Sequence, residues 1–101
     1  MIVRLTAAGV VVQDPDDLTG VRLRTDLDDE GLRTALATTG TGEPTGTGAA
    51  LLDVAVLRSL AVIGPTDHDW PRRWAAMIEH ARGEGRLSPD GRSIQVPVER
   101  A

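Results

Sequence analysis

The densest group of chemically capable side chains is Asp67-His68-Asp69, with His80 and Glu84 at i, i+4 spacing on the segment that follows. Carboxylates beside imidazoles can hold a divalent metal or pass a proton near neutral pH. The spacing matches no metal-binding signature such as H-E-x-x-H, so helix capping and solvated polarity account for these residues more simply. Ser59, Ser88 and Ser93 lie in no nucleophile elbow and near no matching histidine pattern. The carboxylate pairs Asp16-Asp17 and Asp28-Asp29 fall in turn and cap contexts, not in the facing arrangement that hydrolysis uses. The sequence therefore assigns no catalytic, cofactor-binding or metal-ligating residue.

Missing residue types narrow the chemistry further. The chain has 11 arginines and no lysine, and it lacks cysteine, tyrosine, phenylalanine and asparagine. Without lysine there is no Schiff base and no P-loop. Without cysteine there is no thiol nucleophile, disulfide, zinc ribbon or iron–sulfur ligation. A base-stacking platform would have only Trp70 and Trp74 to draw on. The arginine bias, with abundant Ala and Gly, is what a high-GC coding sequence produces.

The elements that must position these residues fit one domain of 101 residues. An apolar fraction of 41%, mostly Ala, Val and Leu, predicts one modest core. The net charge of −4 argues against non-specific nucleic-acid binding and against an anionic membrane surface. Acids crowd the first third (Asp14, Asp16, Asp17, Asp26, Asp28, Asp29, Glu30), whereas Arg72, Arg73, Arg82, Arg86 and Arg92 lie in the last third. Met1–Val12 has too short an apolar run for a signal-peptide core, and no stretch reaches transmembrane length. The expectation is a soluble cytoplasmic protein.

Ile2–Leu5 and Val10–Val12 read as a hairpin or one bent strand, and Val21–Thr25 as a strand with one buried face. Asp28 is placed to cap a helix that runs through Leu36 and stops near Gly40. Thr39–Gly48, rich in Gly and Thr, reads as a flexible loop or a wide hairpin tip. Ala49–Leu52 reads as a strand or as part of a helix with Val54–Ala61, where Asp53 can cap. Trp70, Trp74, Met77, Ile78 and Ala81 form an apolar stripe on a helix opened by Pro71 and ended by Gly83 and Gly85. Ser88–Gly91 has the residues of a type I turn. Ile94, Val96 and Val98 alternate as a strand that Pro97 places at a sheet edge or a bulge. The predicted fold is α+β, a small mixed sheet with about three helices on one face.

The stretch Trp74, Met77, Ala81, Gly85, Asp90-Gly91, Val96 and Val98-Glu99, preceded by Leu52-Asp53-Val54 and Leu57-Leu60-Ala61, resembles the C-terminal pattern of small uncharacterised actinobacterial proteins. That resemblance covers about half of the chain and implies no activity and no site residue.

These observations point to a non-catalytic protein-interaction module: an adaptor, accessory subunit or small regulator, with no cofactor. Trp70, Arg72 and Arg73 are the candidate interaction residues, since Trp and Arg are enriched at binding hot spots. A protein partner is expected, and a homodimer would support a thin core, through the strand around Ile94–Val98 or, since Pro97 disfavours continuous sheet pairing, through side-chain packing at an exposed Trp70. The alternative is a winged-helix-like nucleic-acid binder. Two helices and a hairpin would then carry Arg72, Arg73, Arg82, Arg86 and Arg92 towards phosphates, an analogy of layout alone.

Overall fold

A β-hairpin opens the chain. Ile2–Thr6 (β1) and Gly9–Gln13 (β2) pair antiparallel from Ile2↔Gln13 to Thr6↔Gly9 around Ala7-Ala8. Gly9 holds φ +141°, a backbone that L side chains rarely adopt, which explains glycine at the turn exit. The computed structural model describes residues 1–63 and 67–100. After a turn closed by Asp17 N–H on the Asp14 carbonyl, Arg22–Thr25 (β3) lies parallel to β1.

Helix α1 spans Asp29–Thr39 and begins where Asp28 accepts the Gly31 N–H at 2.7 Å. It ends where Gly40 turns left-handed at φ 66°, with the Thr41 N–H reaching back to the Leu36 carbonyl. Gly42–Pro44 (β4) and Ala49–Asp53 (β5) pair antiparallel, so Ala49–Leu52 is strand rather than helix. Asp53 then caps α2, Val54–Ala61, accepting the Val56 N–H at 2.9 Å. Helix α3 covers Trp70–Gly83, and Gly85 at φ 76° lets the Arg86 N–H close on Ala81. A turn with the Gly91 N–H on the Ser88 carbonyl leads into Ser93–Arg100 (β6).

The strands form one mixed sheet in the order β2-β1-β3-β6-β5-β4. The α+β class holds, but Pro97 does not mark an edge: β6 is interior, flanked by β3 and β5. The reason lies in the direction of one N–H. Gln95 donates to Arg86 and Val98 donates to Gly48, so odd-numbered N–H groups of β6 point away from β5. Position 97 therefore lacks a donor on the β3 side, just before the β3–β6 ladder starts at Leu23↔Val98. No ladder bond is lost there.

Of the two readings of Thr39–Gly48, the hairpin tip holds and the flexible loop does not. The segment contains β4, and Thr41 is fully buried with its hydroxyl bonded to Thr39 and its carbonyl accepting the Asp53 N–H. Gly42 lies so close to β5 that a Cβ there would come within 2.0 Å of the Leu51 carbonyl oxygen. Small size at that strand pairing, not flexibility, accounts for this glycine.

One side of the sheet is buried across its centre. Val3, Leu5, Leu23, Thr25, Ala50, Leu52, Ile94 and Val96 are at most 2% exposed. Against them pack Leu32 and Leu36 of α1, Leu57 of α2, and Trp70, Trp74 and Met77 of α3. Trp74, Met77, Ile78, Ile94 and Val96 share this one cluster, as the apolar stripe predicts. Helix α2 packs on both β5 and β2, and α1 on both β4 and β2, so the sheet curls until both of its edges meet α1. Among the described residues no helix is long and apolar enough to cross a membrane.

Candidate interaction surface

The helices cover the inner face, which leaves the alternate residues of every strand on an outer face that no helix covers. Strand register places Ile2 beside Arg22, Arg4 beside Arg24, and Arg24 beside Glu99. Arg4 also stands opposite Val11, which is 58% exposed. The result is a row of arginines across β1 and β3, bordered by exposed Val11 on β2. Glu99 bridges two of them, accepting from Arg24 Nη2 at 3.2 Å and Arg22 Nη1 at 3.4 Å. Those bonds, Arg24's first, hold the Glu99 carboxyl below the usual carboxylate range. Arg4 has no ion pair or side-chain hydrogen bond among the described residues. Across β1 and β3 three guanidiniums meet the single carboxylate of Glu99, so this end of the outer face is cationic on a chain of net charge −4, while Glu43 lies towards the opposite edge on β4.

Trp70 is not a surface residue. It is fully buried, stacks on Trp74 with centroids 5.3 Å apart, and donates its indole N–H to the Pro15 carbonyl at 2.8 Å. Its place on the apolar stripe of α3 explains the burial, and the expected dimer contact through an exposed Trp70 is overturned. Arg72 is exposed, but both its Nε and Nη2 donate to Asp69 at 2.7 Å. That fork pairing lowers the Asp69 pKa and raises that of Arg72. Arg73 donates to the Asp16 carbonyl at 3.0 Å and to Asp67 Oδ2 at 3.1 Å. It thus ties the start of α3 to the Asp14–Gly20 loop, a local structural role.

The polar cluster that opened the sequence reading follows the same pattern. Asp67 Oδ1 accepts the Asp69 N–H, while Asp69 makes no side-chain cap on α3 and turns to Arg72 instead. His80 and Glu84 lie 3.2 Å apart on an exposed helix face, and Arg86 binds the same carboxylate at 2.6 Å. The Arg86 bond holds Glu84 below its ordinary pKa. Among the described residues no three His, Asp or Glu side chains converge as a metal cage would require. Ser59 donates to Ala55 within α2, and Ser88 to Asp90 in the turn before β6. Neither serine meets a histidine.

The winged-helix outline does not hold as topology, because the strand that would form the wing is the interior strand β6. Arg72, Arg82 and Arg86 are paired with Asp69, Glu79 and Glu84 respectively. No family model matches the chain, and no curated protein or solved structure matches it.

The outer face was not singled out from sequence, although its signal was present. In Ile2–Leu5 and Val21–Thr25 the residues alternating with the core positions include Arg4, Arg22 and Arg24. What the sequence lacked was the strand order that brings them side by side.

Proposed function

We propose that this chain is a non-catalytic protein-interaction module, an adaptor or accessory subunit, that offers the outer face of its sheet to a protein partner. The observation that carries this reading is the arginine row of Arg4, Arg22 and Arg24 on an uncovered sheet face beside exposed Val11. Guanidinium groups next to apolar surface are the ingredients of binding hot spots. The face bears no aromatic side chain, so it lacks the stacking platform that single-stranded nucleic acid uses. The overall charge of −4 opposes non-specific binding to phosphate backbones as well.

Affinity capture from the source cells tests the proposal, comparing the wild type with an R4E/R24E variant of equal thermal stability. The expected result is a protein recovered with the wild type and lost with the variant. Capture of no protein, or capture indifferent to both charge reversals, would overturn the reading.

A further inference from the structure

The two edges of the sheet are not equally protected. Strand β4 is three residues long, ends in Pro44 and packs against α1. Short length, proline and a covering helix are the usual ways of blocking an edge. Strand β2, Gly9-Val10-Val11-Val12-Gln13, also has helices α1 and α2 against it, but it is five residues long and has neither charge nor proline. In a hairpin with a two-residue turn, the flanking pair exchanges both hydrogen bonds and the pattern then alternates. Thr6↔Gly9, Arg4↔Val11 and Ile2↔Gln13 are then the bonded pairs. The Met1 carbonyl confirms this parity by accepting from Arg22 on the opposite side of β1. Val10 and Val12 accordingly direct their N–H and C=O groups away from β1. Among the described residues nothing outside the β1 ladder hydrogen-bonds to the backbone of β2.

A shallow groove of about 340 Å³ runs along this strand, lined by Arg4, Thr6, Gly9, Val10, Val11 and Gln13. It joins the open edge to the guanidinium that has no carboxylate. Building on the module reading above, we propose that β2 accepts an extended, acid-bearing segment of a protein partner by strand addition, with Arg4 receiving its carboxylate. A strand added to β2 lies about 10 Å from β1, two strand spacings. An Arg4 side chain extended across the groove it shares with Val11 and a glutamate on the incoming strand would together span that gap. Main-chain bonds to Val10 and Val12 would supply affinity, and the Arg4 contact would supply selectivity for acidic sequence. A second copy of this chain fits less well, because its own Gly9–Gln13 has no carboxylate to set beside Val11.

The test uses two short synthetic peptides, one alternating valine with glutamate and one alternating valine with lysine, with binding read by fluorescence anisotropy. The acidic peptide should bind at least roughly tenfold more tightly, the size of effect one charge-assisted hydrogen bond gives. Arg4→Glu should remove that preference. Val10→Pro, which deletes an outward N–H and no ladder bond, should abolish binding of both peptides. The acidic peptide N-methylated at alternate amides should fail to bind the unaltered protein, which tests strand addition even if the proline variant does not fold. Equal binding of the acidic and basic peptides, undiminished binding of the methylated one, or no binding at all would overturn the proposal. So would a homodimer by light scattering that Val10→Pro dissociates. If peptide binding fails while R4E/R24E still loses the captured partner, the module reading stands and strand addition alone is refuted.

Discussion

Arg4 stands directly opposite Val11 across the β1–β2 hairpin, a cation without a carboxylate beside an apolar side chain that is 58% exposed. Cross-strand neighbours lie about 5 Å apart, so charge and apolar surface are offered together as one patch. Its neighbours Arg22 and Arg24 share Glu99, which keeps their guanidiniums in the same row. The inner face repeats none of this; it holds the core.

The indole pair of α3 should dominate stability. Trp74→Ala removes a buried ring that stacks on Trp70, and should cost about 3–5 kcal/mol. Trp70→Phe keeps most of the bulk but deletes the bond to the Pro15 carbonyl, and should cost about 1 kcal/mol. Urea titration measures both. An unchanged midpoint for Trp74→Ala would contradict the core assignment.

Gly42→Ala should destabilise the protein by about 1–3 kcal/mol or more, since the added methyl meets the Leu51 carbonyl and backbone must shift. Thr47→Ala, in the exposed turn a few residues on, should change little. Equal and negligible effects on thermal midpoint would mean that β4 does not pair as described.

The two caps should each matter modestly. Asp28→Ala and Asp53→Ala remove the oxygens that accept from Gly31 and Val56, and each should cost about 1 kcal/mol. Asp69→Ala should cost less at the start of α3, because that side chain caps nothing there. Chemical denaturation of the three variants gives the order directly.

Acid should unfold the protein through a defined set of carboxylates. Asp17, bonded to Thr19, Asp69 to Arg72, Glu84 to Arg86, Asp90 to Ser88 and Glu99 to Arg24 all sit below their ordinary pKa values. The folded state thus binds fewer protons than the unfolded chain in that window. Their contribution is complete above the ordinary carboxylate range and is lost as pH falls through the lowered folded values. The thermal midpoint should be level from about pH 7 to 5 and should fall below about pH 4. Added salt should weaken the part that comes from the solvent-facing pairs of Asp69, Glu84 and Glu99 with arginine, and should leave the hydroxyl bonds of Asp17 and Asp90 largely unaffected. A midpoint that rises on acidification would contradict these pairings.

Local features of the fold were legible because each is decided by a few neighbouring residues. Short β-branched runs marked β1 and β2, alternation marked β3 and β6, Asp28 and Asp53 announced helix starts, and Gly40 and Gly85 announced helix ends. Features that depend on which strands become neighbours were not. Pro97 signals an edge only if its missing N–H faces an occupied ladder, and here it faces the point where β6 gains β3. Gly42 is indistinguishable from linker glycine until β5 is seen against it. Trp70 was split between core and contact by a stripe that gives direction and no depth. The arginine row became a site only when parallel pairing of β1 with β3 aligned Arg4 with Arg24.

Amide-resolved hydrogen exchange on the free protein and on its complex with the alternating valine–glutamate peptide tests the central claim most directly. In the free protein the Val10 and Val12 amides should exchange quickly, because they face solvent at the sheet edge, while Val11 is protected by the ladder to Arg4. In the complex Val10 and Val12 should slow markedly, with little change across α3. Val10 and Val12 protected already in the free protein, or protection on binding confined to α1 or α3, would contradict the account.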